Sequence, residues 1–371
     1  MLSVTTVKAL VLAGGYATRL RPLSCTRPKL LFPVAGKPIL EWTMEKLSRN
    51  SFDEAIIAVN YMADAIKNHF GDEFRGVKIR YSDEPKPLGT GGPIKNAEQL
   101  LNTGETFLTM NGDILSDIDI GQMVGSHRKN KPVATIAVRP VKDPSRFGVV
   151  EIDERMQIKR FVEKPNRRES QSNLINAGLY LMEPQIFDYI PSGRKVVIER
   201  EVFPNLAKQG KLSAFKIGGT WFDVGKIEDY RAANSAMLDV VCRTGAKIEK
   251  SVRKGSGVVV SSPSFIGRDS VIGSDSIVGP YVSVGEAVAI GEGSRIVDSI
   301  VFDHVTIGKS SLVQGAILGE ETRVGANAII GAGSIVGSHA AIHDNVKLSR
   351  NVAVCPYKEV EESILQPAYV M

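Results

Sequence analysis

Residues 264–291 read SFIGRDSVIGSDSIVGPYVSVGEAVAIG, a stretch in which glycine recurs at every sixth position. These glycines follow Ile or Val, as in Phe265-Ile266-Gly267 and Val271-Ile272-Gly273. A six-residue repeat with aliphatic residues before each glycine predicts a parallel β-helix, whose stacked coils bury one continuous core. A flexible glycine-rich linker would not place Ile and Val so regularly, so we expect a repeat domain with a C-terminal extension at residues 263–371.

A second glycine series keeps the same period but is out of phase with the first, with members at positions 319, 325, 331 and 337. The segment between the two series includes Val305-Thr306-Ile307-Gly308 and is expected to contain an irregular coil or a looped turn. The six-residue pattern resembles the left-handed hexapeptide-repeat helix. A polar, glycine-containing stretch at 243–257 precedes it, so we expect a linker at 241–262 and a first domain at 1–240.

The first domain alternates short apolar runs with longer amphipathic stretches, which is typical of an α/β sheet covered by helices on both faces. We predict helices at residues 39–47 and 118–127, and strands at residues 8–12, 55–59, 77–81, 106–110 and 133–138. In such sheets, ligands bind at loops beyond the carboxyl ends of the strands. The loops that follow Leu12 and Met110 occupy such positions and are the first candidates for a binding site.

The composition of the 371-residue chain narrows the classes of function. Its 46 basic and 41 acidic residues leave a net charge of +5, which suits anionic small substrates better than nucleic acid. The apolar stretch 9–13 is too short for a signal-peptide core or a membrane span, so no membrane partner is expected. Cys25, Cys242 and Cys355 form neither a zinc pattern nor a disulfide framework, which favours a reducing, cytoplasmic location.

The most informative segment covers residues 12–22, LAGGYATRLRP, and is followed by Pro28-Lys29. Glycines after a buried strand let backbone N–H groups approach a phosphate closely. Arg19, Arg21 and Lys29 then add positive charge suited to a triphosphate. This spacing is neither that of a Walker loop nor that of the Gly-x-Gly-x-x-Gly dinucleotide loop.

This segment resembles the signature of the sugar-nucleotide pyrophosphorylase family, Gly-Gly-x-Gly-Thr-Arg-Leu-x-Pro followed by Pro-Lys. Within that family, the chain is most similar, over nearly its whole length, to mannose-1-phosphate guanylyltransferases that carry a hexapeptide-repeat domain. The resemblance implies an α/β fold: a Rossmann-like nucleotidyltransferase domain with a mixed sheet, followed by a left-handed parallel β-helix. It also implies that Arg19 stabilises charge on the transferred phosphoryl group and that Lys29 binds triphosphate oxygens. Ala17 replaces a signature glycine, so a positive φ there would be strained.

Two segments are expected to bind the nucleotide. In the segment 12–22, which we call the phosphate loop, the residues expected to bind the nucleotide are Leu12, Ala13, Gly14, Gly15 and Thr18. The segment at residues 87–92, PLGTGG, lies where the family contacts base and ribose, which points to Gly89 and Thr90. Because backbone groups read much of the base, the sequence does not separate guanine from uracil or thymine.

Two aspartates are candidate metal ligands. Asp113 follows a predicted strand in Asn111-Gly112-Asp113, and Asp223 lies in the segment WFDVG at residues 221–225. Mg²⁺ prefers oxygen ligands, and the resemblance implies that both carboxylates coordinate this ion. Asp117 and Asp119 are better explained as residues at the start of a helix.

Short motifs between the two aspartates resemble the family's sugar site. Gly148 lies in Phe147-Gly148-Val149-Val150, and Glu163 and Lys164 lie in Phe161-Val162-Glu163-Lys164-Pro165. By resemblance, Glu163 would hold sugar hydroxyls and Lys164 the sugar phosphate, while Asn176 would place its amide against the sugar. Each motif is weak alone, but their order between Asp113 and Asp223 makes chance a poor explanation.

The expected function is the transfer of a nucleotidyl group from a nucleoside triphosphate to a sugar 1-phosphate, with GTP and mannose 1-phosphate as first choice. Transfer from UTP or dTTP to glucose or N-acetylglucosamine 1-phosphate stays open. So do a non-catalytic subunit that senses nucleotide sugar and an acyltransferase using His304, His339 or His343. The helical His69 and His127 are expected to be solvated, and homo-oligomers through the repeat domain are expected.

Overall fold

A computed structural model describes residues 8–166, 170 and 172–371. The chain divides into two compact units, which we describe separately. The first unit joins the chain up to Gly15 to Leu40–Asp223, and the second joins Tyr16–Ile39 to Val224–Met371. Most of the signature segment therefore belongs to the same unit as the repeats, a grouping that the sequence-derived division at residue 240 does not contain. Among the described residues, no helix is both long and apolar enough to cross a membrane.

The first unit is built on a mixed sheet, which confirms the predicted α/β class. Ala9–Leu12 lies at its centre and pairs in parallel with Glu54–Val59 and Phe107–Asn111. Leu174–Met182 pairs antiparallel with Phe107–Asn111 and also with Ala134–Pro140. The other strands of the sheet are Glu73–Phe74, Val77–Asp83, Gly148–Ile152, Ile158–Glu163 and Leu212–Lys216.

The helices of this part of the chain pack a large apolar core against the sheet, with members such as Leu10, Ile56 and Phe107 at or near zero exposure. The α-helices are Ile39–Arg49, Ala63–Phe70, Gly92–Asn96, Glu98–Leu101, Ile120–Asn130, Ile198–Glu201 and Phe203–Lys208, and Pro184–Tyr189 is a 3-10 helix. Each strand and helix predicted from the sequence exists, with ends that shift by at most three residues.

Two sequence-based interpretations near the helix Ile120–Asn130 need correction. Asp119 caps this helix as expected, since its carboxylate accepts a hydrogen bond from the backbone N–H of Gln122 at 2.9 Å. The first correction concerns Asp117, which lies two residues before the cap. Its carboxylate accepts from the backbone N–H of Thr220 at 3.0 Å and not from the helix. The expectation that His127 is solvated is wrong, since its side chain is 1% exposed on the face of the helix that meets the sheet.

The second unit contains the predicted parallel β-helix. Within residues 247–370, all of which are described, short parallel strands stack into three sheets around an aliphatic core. The first sheet contains Lys247–Ile248, Ser264–Ile266, Val282–Val284, Ile300–Val301, Ile317–Leu318, Ile335–Val336, Ala353–Val354 and Tyr369–Val370. The second contains Arg253–Lys254, Val271–Ile272, Ala289–Ile290, Thr306–Ile307, Arg323–Val324, Ala341–Ile342 and Glu359–Val360. The third contains Val259–Val260, Ile277–Val278, Arg295–Val297, Leu312–Gln314, Ile329–Ile330 and Lys347–Leu348.

The register explains the phase break between the two glycine series. Strand partners lie 18 residues apart at the start of the β-helix, as in Phe265 and Ser283. They lie 17 apart in the middle, as in Ile300 and Ile317, because the turns around Asp298 and Gly315 are one residue shorter. The irregularity therefore consists of two shortened turns. Of the two predicted alternatives, the irregular coil is confirmed and the looped turn is wrong.

Helix Ile227–Val241 and the segment Tyr16–Ile39 complete the second unit. The segment contains the 3-10 helices Thr18–Leu20, Leu23–Cys25 and Lys29–Leu31 and a short hairpin of Pro33–Val34 and Lys37–Pro38. The hydroxyl of Tyr230 donates to the carbonyl of Pro33 at 2.6 Å. Phe32 packs against Tyr230 and Phe302, at ring distances of 5.5 and 5.7 Å, and so joins the segment to both the helix and the repeats.

Candidate active site

The two loops singled out in the sequence leave the same edge of the first unit's sheet. Leu12 and Asn111 are register partners at the ends of adjacent parallel strands. The backbone N–H of Gly112 donates to the carbonyl of Leu12 at 3.0 Å, and that of Ala13 donates to the carbonyl of Ala58 at 2.9 Å. The loops Gly14-Gly15 and Gly112-Asp113 therefore start side by side, at the edge where such sheets bind ligands.

Gly14 lies against a buried carboxylate that the sequence analysis did not single out. A Cβ at Gly14 would stand 2.9 Å from Oε1 of Glu84, so glycine lets the carboxylate approach this loop closely. The other oxygen, Oε2, accepts from the backbone N–H of Leu88 at 3.2 Å. Burial raises the pKa of Glu84, and the Leu88 hydrogen bond opposes that shift. The carboxylate thus lies between the phosphate loop and the predicted base segment.

Asp113 and Asp223 lie on neighbouring strands of the first unit. Ile114–Ser116 and Trp221–Asp223 form a two-stranded antiparallel sheet in which Asp223 is the register partner of Ile114. Asp113 precedes Ile114 directly, so the backbones of the two aspartates are adjacent, and both residues are half-buried. The sequence placed these residues 110 positions apart, and the fold brings them together.

A bulge in the strand Leu174–Met182 presents Asn176 beside this pair of strands. The register against Ala134–Pro140 shifts between Asn176 and Tyr180. Gly178, at φ 72°, closes the bulge through a hydrogen bond from its N–H to Oδ1 of Asn176 at 2.9 Å. The indole N–H of Trp221 donates to the carbonyl of Ala177 at 3.0 Å, which fixes the bulge to the strand that carries Asp223.

The remaining sugar-site candidates meet on an antiparallel strand pair. Gly148 is the register partner of Glu163, and a Cβ at Gly148 would stand 2.9 Å from Oε2 of Glu163. The backbone N–H of Lys164 donates to the carbonyl of Phe147 at 3.0 Å. The Nζ atom of Lys164 lies 3.6 Å from Oε1 of Glu163, while its side chain stays 58% exposed and accessible to an anion.

Arg19 and Lys29 lie in the second unit, on the 3-10 helices Thr18–Leu20 and Lys29–Leu31. Ala17, which caps the first of these, has φ 49° and ψ 39°, so the residue that replaces the signature glycine does adopt the left-handed conformation. The Ser24 hydroxyl donates to the Ala17 carbonyl at 2.8 Å and holds it there. A left-handed alanine costs about 1–2 kcal/mol, so the strain expected from the sequence is present.

Comparison with known proteins decides the family. Residues 8–240 match the nucleotidyl transferase family model. The chain belongs to this family. Residues 260–370 match a second model, the GMPPB C-terminal domain. The enzyme class predicted from the sequence, sugar-1-phosphate nucleotidyltransferase, is confirmed.

Several relatives are similar over their whole length. Mannose-1-phosphate guanylyltransferase catalytic subunit beta of Xenopus tropicalis is 36% identical, over 98% of this chain and all of the relative. Mannose-1-phosphate guanylyltransferase 1 of Arabidopsis thaliana is 34% identical over the same shares. Among solved structures, HddC from Yersinia pseudotuberculosis is 29% identical with a TM-score of 0.54, covering 62% of this chain and 99% of HddC. The same protein complexed with GMP-PN gives a TM-score of 0.53.

Two further buried polar residues of this nucleotidyltransferase, Tyr180 and Glu199, contact residues that the sequence analysis singled out. Tyr180 is 1% exposed, and its hydroxyl accepts from the Asn176 amide at 2.9 Å. Burial raises its pKa well above the usual value, and the negative charges of Glu199, Glu163 and Asp113 act in the same direction. The charges of residues predicted to bind sugar and metal therefore act on one buried hydroxyl.

Glu199 is 9% exposed, and its carboxylate accepts a hydrogen bond from the Thr90 hydroxyl. Burial raises its pKa, with a further contribution from the charge of Glu163. Such a carboxylate is held in an unfavourable environment that hydroxyl donors of a sugar would improve. No motif marks Glu199 in the sequence, since its neighbours Ile198, Arg200 and Glu201 read as an ordinary helix start.

A buried guanidinium lies against the ring of Trp221. Arg139 stacks on the Trp221 ring at 5.3 Å, while its Nε and Nη1 atoms are buried without a hydrogen-bond partner among the described residues. Buried donors of this kind are rare in folded proteins. Arg139 thus places a buried positive charge next to the strand that carries Asp223.

The repeat-region histidines occupy the turns and outer surface of the β-helix. His304 and His339 lie on turns with φ 59° and 60°. His339 stacks on Tyr357 at 4.6 Å, and His343 is exposed near Glu359 at 3.6 Å. The family match supports nucleotidyl transfer over the acyltransferase and sensor alternatives.

Proposed function

We propose that this enzyme transfers a guanylyl group from GTP to mannose 1-phosphate, releasing pyrophosphate and forming GDP-mannose. Relatives similar over the full length bear the name mannose-1-phosphate guanylyltransferase. The observation that carries the choice of GTP is the carboxylate of Glu84, which lies beside Gly14 and Leu88.

Glu84 suits guanine because guanine is the nucleobase whose pairing edge offers two adjacent donors, N1–H and the exocyclic amine. A carboxylate accepts both, whereas uracil and thymine offer one N–H flanked by carbonyl oxygens that a carboxylate repels. Oε2 is oriented by Leu88, and Oε1 points to the space that Gly14 leaves open. Paired hydrogen bonds of this kind discriminate between bases by about 1–3 kcal/mol.

The sugar 1-phosphate would lie among Glu163, Lys164, Asn176 and Glu199. The carboxylates of Glu163 and Glu199 accept from sugar hydroxyls, and the Asn176 amide is oriented by Tyr180 and Gly178. Lys164 supplies the positive charge for the sugar phosphate, because its ammonium is exposed. It lies next to Glu163, which accepts from the hydroxyls of the same sugar. These assignments extend the family resemblance with contacts inside one compact unit.

Asp113 and Asp223 would hold Mg²⁺. Two half-buried carboxylates on adjacent strands fit an ion that takes one or two protein oxygens and completes its shell with water and substrate phosphates. When bound, the ion neutralises charge on the triphosphate and orients its α-phosphate.

The reaction needs no nucleophilic side chain. A phosphate oxygen of the sugar 1-phosphate attacks the α-phosphorus of GTP, the bond to the bridging oxygen breaks, and pyrophosphate leaves with its electron pair. By resemblance, Arg19 and Lys29 balance the charge of the departing group, and the phosphate-loop residues Leu12–Gly15 and Thr18 hold the triphosphate. Gly89 and Thr90 contact Val196 and Glu199 and shape the wall between base and sugar.

The same proposal covers the surroundings of the enzyme. The three free cysteines favour a reducing compartment, which we take to be the cytoplasm. Flat β-helix faces favour pairing between copies, so we expect a homo-oligomer.

Glu84→Gln tests the choice of base. Glutamine keeps an acceptor for Leu88 but presents an amide instead of a carboxylate, so preference for GTP over UTP should fall by about 10-fold or more. Inosine triphosphate, which lacks the exocyclic amine, should be a poorer substrate than GTP for the wild type and nearly equal for the variant.

Glu201→Gln is the matched control, because Glu201 also accepts a backbone N–H, from Val197 at 3.0 Å, and lies on the exposed side of the helix. We expect its preference among the triphosphates to equal that of the wild type. An unchanged preference in Glu84→Gln would remove Glu84 from base recognition.

A further inference from the structure

The signature segment is fixed to the β-helix by residues that neither the motif nor the proposed reaction uses. Arg27 donates through Nη2 to Asp303 at 3.3 Å and to Glu320 at 2.9 Å. Thr26 donates to the hydroxyl of Ser338 at 3.0 Å. Asp303, Glu320 and Ser338 follow the register partners Ile300, Ile317 and Ile335 by three residues, so they occupy the same turn of three consecutive coils. Two adjacent side chains thus contact a column of the β-helix.

The column is preorganised to receive Arg27. Oδ1 of Asp303 accepts from the backbone N–H of Glu286 at 2.9 Å, which leaves Oδ2 directed at the guanidinium. The guanidinium also lies over the Phe302 ring at 5.6 Å. Arg27 is 18% exposed, so two carboxylates and an aromatic face surround a largely desolvated cation. A fork of N–H donors that meets two carboxylates in a largely buried setting is worth more than an exposed ion pair.

The same guanidinium also shapes the backbone around Lys29. Nη1 of Arg27 donates to the carbonyl of Leu31 at 3.4 Å, across the 3-10 helix Lys29–Leu31. Within that turn the backbone N–H of Phe32 donates to the carbonyl of Lys29 at 2.9 Å. Lys29 therefore lies in a turn whose two ends, Arg27 and Leu31, are joined by a hydrogen bond.

We propose that Arg27 is a positioning residue: by binding Asp303 and Glu320, it fixes the turn that carries Lys29, so the β-helix takes part in triphosphate binding. The inference rests on the proposed function in one respect, the contact between Lys29 and the triphosphate. A purely structural tether would instead contribute to stability without any effect on GTP binding.

A second tether in the same unit provides the control. Arg231, on helix Ile227–Val241, donates to Asp298 at 2.8 Å and to the carbonyl of Gly315, again on successive coils. It is 26% exposed, comparable to Arg27, and it lies on a different element from Lys29. Arg231→Met and Arg27→Met remove the same chemistry from similar surroundings.

The test measures GTP affinity, KM for GTP and kcat in the full-length chain, together with thermal stability. We expect both variants to lower the melting temperature similarly, while Arg27→Met alone raises KM for GTP and weakens GTP binding by about 10-fold or more. Asp303→Asn combined with Glu320→Gln should reproduce the Arg27→Met effect. Adding these changes to Arg27→Met should have little further effect, because all three act through one contact.

Three outcomes contradict the inference or what underlies it. If Arg27→Met keeps wild-type KM and affinity for GTP while losing stability as Arg231→Met does, Arg27 is only a tether. Equal kinetic loss in Arg231→Met assigns the effect to general loosening and also overturns the inference. A folded wild type without nucleotidyl transfer contradicts the proposed function instead, and it is measured in the same series.

Discussion

Buried polar groups serve different purposes in the two compact units. In the β-helix they recur with the coils and satisfy the backbone: Ser276 donates to the carbonyl of Gly291 at 2.9 Å, and Ser311 donates to that of Gly325 at 2.7 Å. In the α/β unit, the buried Glu84, Glu199 and Tyr180 do not belong to a repeating pattern, and burial raises the pKa of all three. The first set stabilises a repeating fold. The second is held at a cost that a substrate can offset, which is typical of functional sites.

The largest effect should come from the aspartates of the α/β unit. Asp113→Asn and Asp223→Asn each remove a charged oxygen ligand, and we expect pyrophosphate release to fall by about 10²-fold or more. Asp119→Asn is the matched control, because asparagine caps a helix as well as aspartate does. Wild-type turnover in either Asp113→Asn or Asp223→Asn would show that the adjacent carboxylates do not bind the required ion.

Replacing one buried polar group in each unit should give opposite results. The raised pKa of Glu199 means that the ionised form is disfavoured in the folded state, so stability declines as pH rises through that pKa. Glu199→Gln should therefore raise the free energy of unfolding at pH 7 by about 1 kcal/mol. It should also raise KM for mannose 1-phosphate by about 10-fold, since a charged acceptor for a sugar hydroxyl is lost.

Ser311→Ala should instead lower the free energy of unfolding by about 1 kcal/mol and leave KM unchanged, because its hydroxyl donates only to the backbone. Chemical denaturation and steady-state kinetics on both variants decide the matter. A loss of stability in Glu199→Gln, or a changed KM in Ser311→Ala, would break the distinction between the two units.

The architecture of both units and part of the candidate site could be predicted from the sequence, for physical reasons. The period of six determines the β-helix because each coil repeats the same local contacts. The loops after Leu12 and Met110 follow from the alternation of strands and helices, which also places Asp113 at the sheet edge. Glu199 and Glu84 carry no motif, since their roles depend on Thr90 and Gly14, which are distant in sequence.

Contacts between distant segments also account for features that the sequence analysis did not identify. His127 follows Ile120 and Met123 on the buried face of its helix, and Thr135 and Glu183 bind its ring at 2.7 and 2.8 Å. The grouping of Tyr16–Ile39 with the repeats depends on Arg27 and its partners hundreds of residues away. The contacts of Arg27 leave no periodic signal, whereas Ile120, Met123 and His127 have the spacing of one helix face.

His127 gives a prediction with a pH dependence. Burial lowers its pKa, although Glu183 opposes this, and Arg128 adds to the lowering. Because the folded pKa is below the unfolded value of about 6.5, the unfolded chain binds more protons and stability is lost as pH falls below that value. We expect up to about 1 kcal/mol of loss between pH 6.5 and 5.5.

Denaturant unfolding across this pH range measures the effect, and His127→Gln should flatten the dependence while retaining one polar contact. A slope that survives in His127→Gln would assign the pH dependence to other groups.

The smallest effect compares two strained alanines. Ala17 in the signature segment has φ 49°, and Ala287 on a β-helix turn has φ 51°. Glycine relieves left-handed strain at the cost of extra chain entropy, so each Ala→Gly change should raise the free energy of unfolding by about 0.5–1 kcal/mol. Ala341→Gly, within a strand, should be destabilising and serves as the control. A gain at Ala287 without one at Ala17 would mean that Ser24 and its neighbours impose a further constraint on the signature loop.

The central claim, guanylyl transfer to mannose 1-phosphate, is tested most directly by competition. Purified full-length protein with Mg²⁺ is given equal amounts of GTP, UTP, dTTP and ATP, together with the 1-phosphates of mannose, glucose and N-acetylglucosamine, and the nucleotide sugars formed are identified by mass. The account predicts GDP-mannose as the main product and a shift toward other bases in Glu84→Gln. UDP- or dTDP-linked sugars as the main product of the wild type would contradict it.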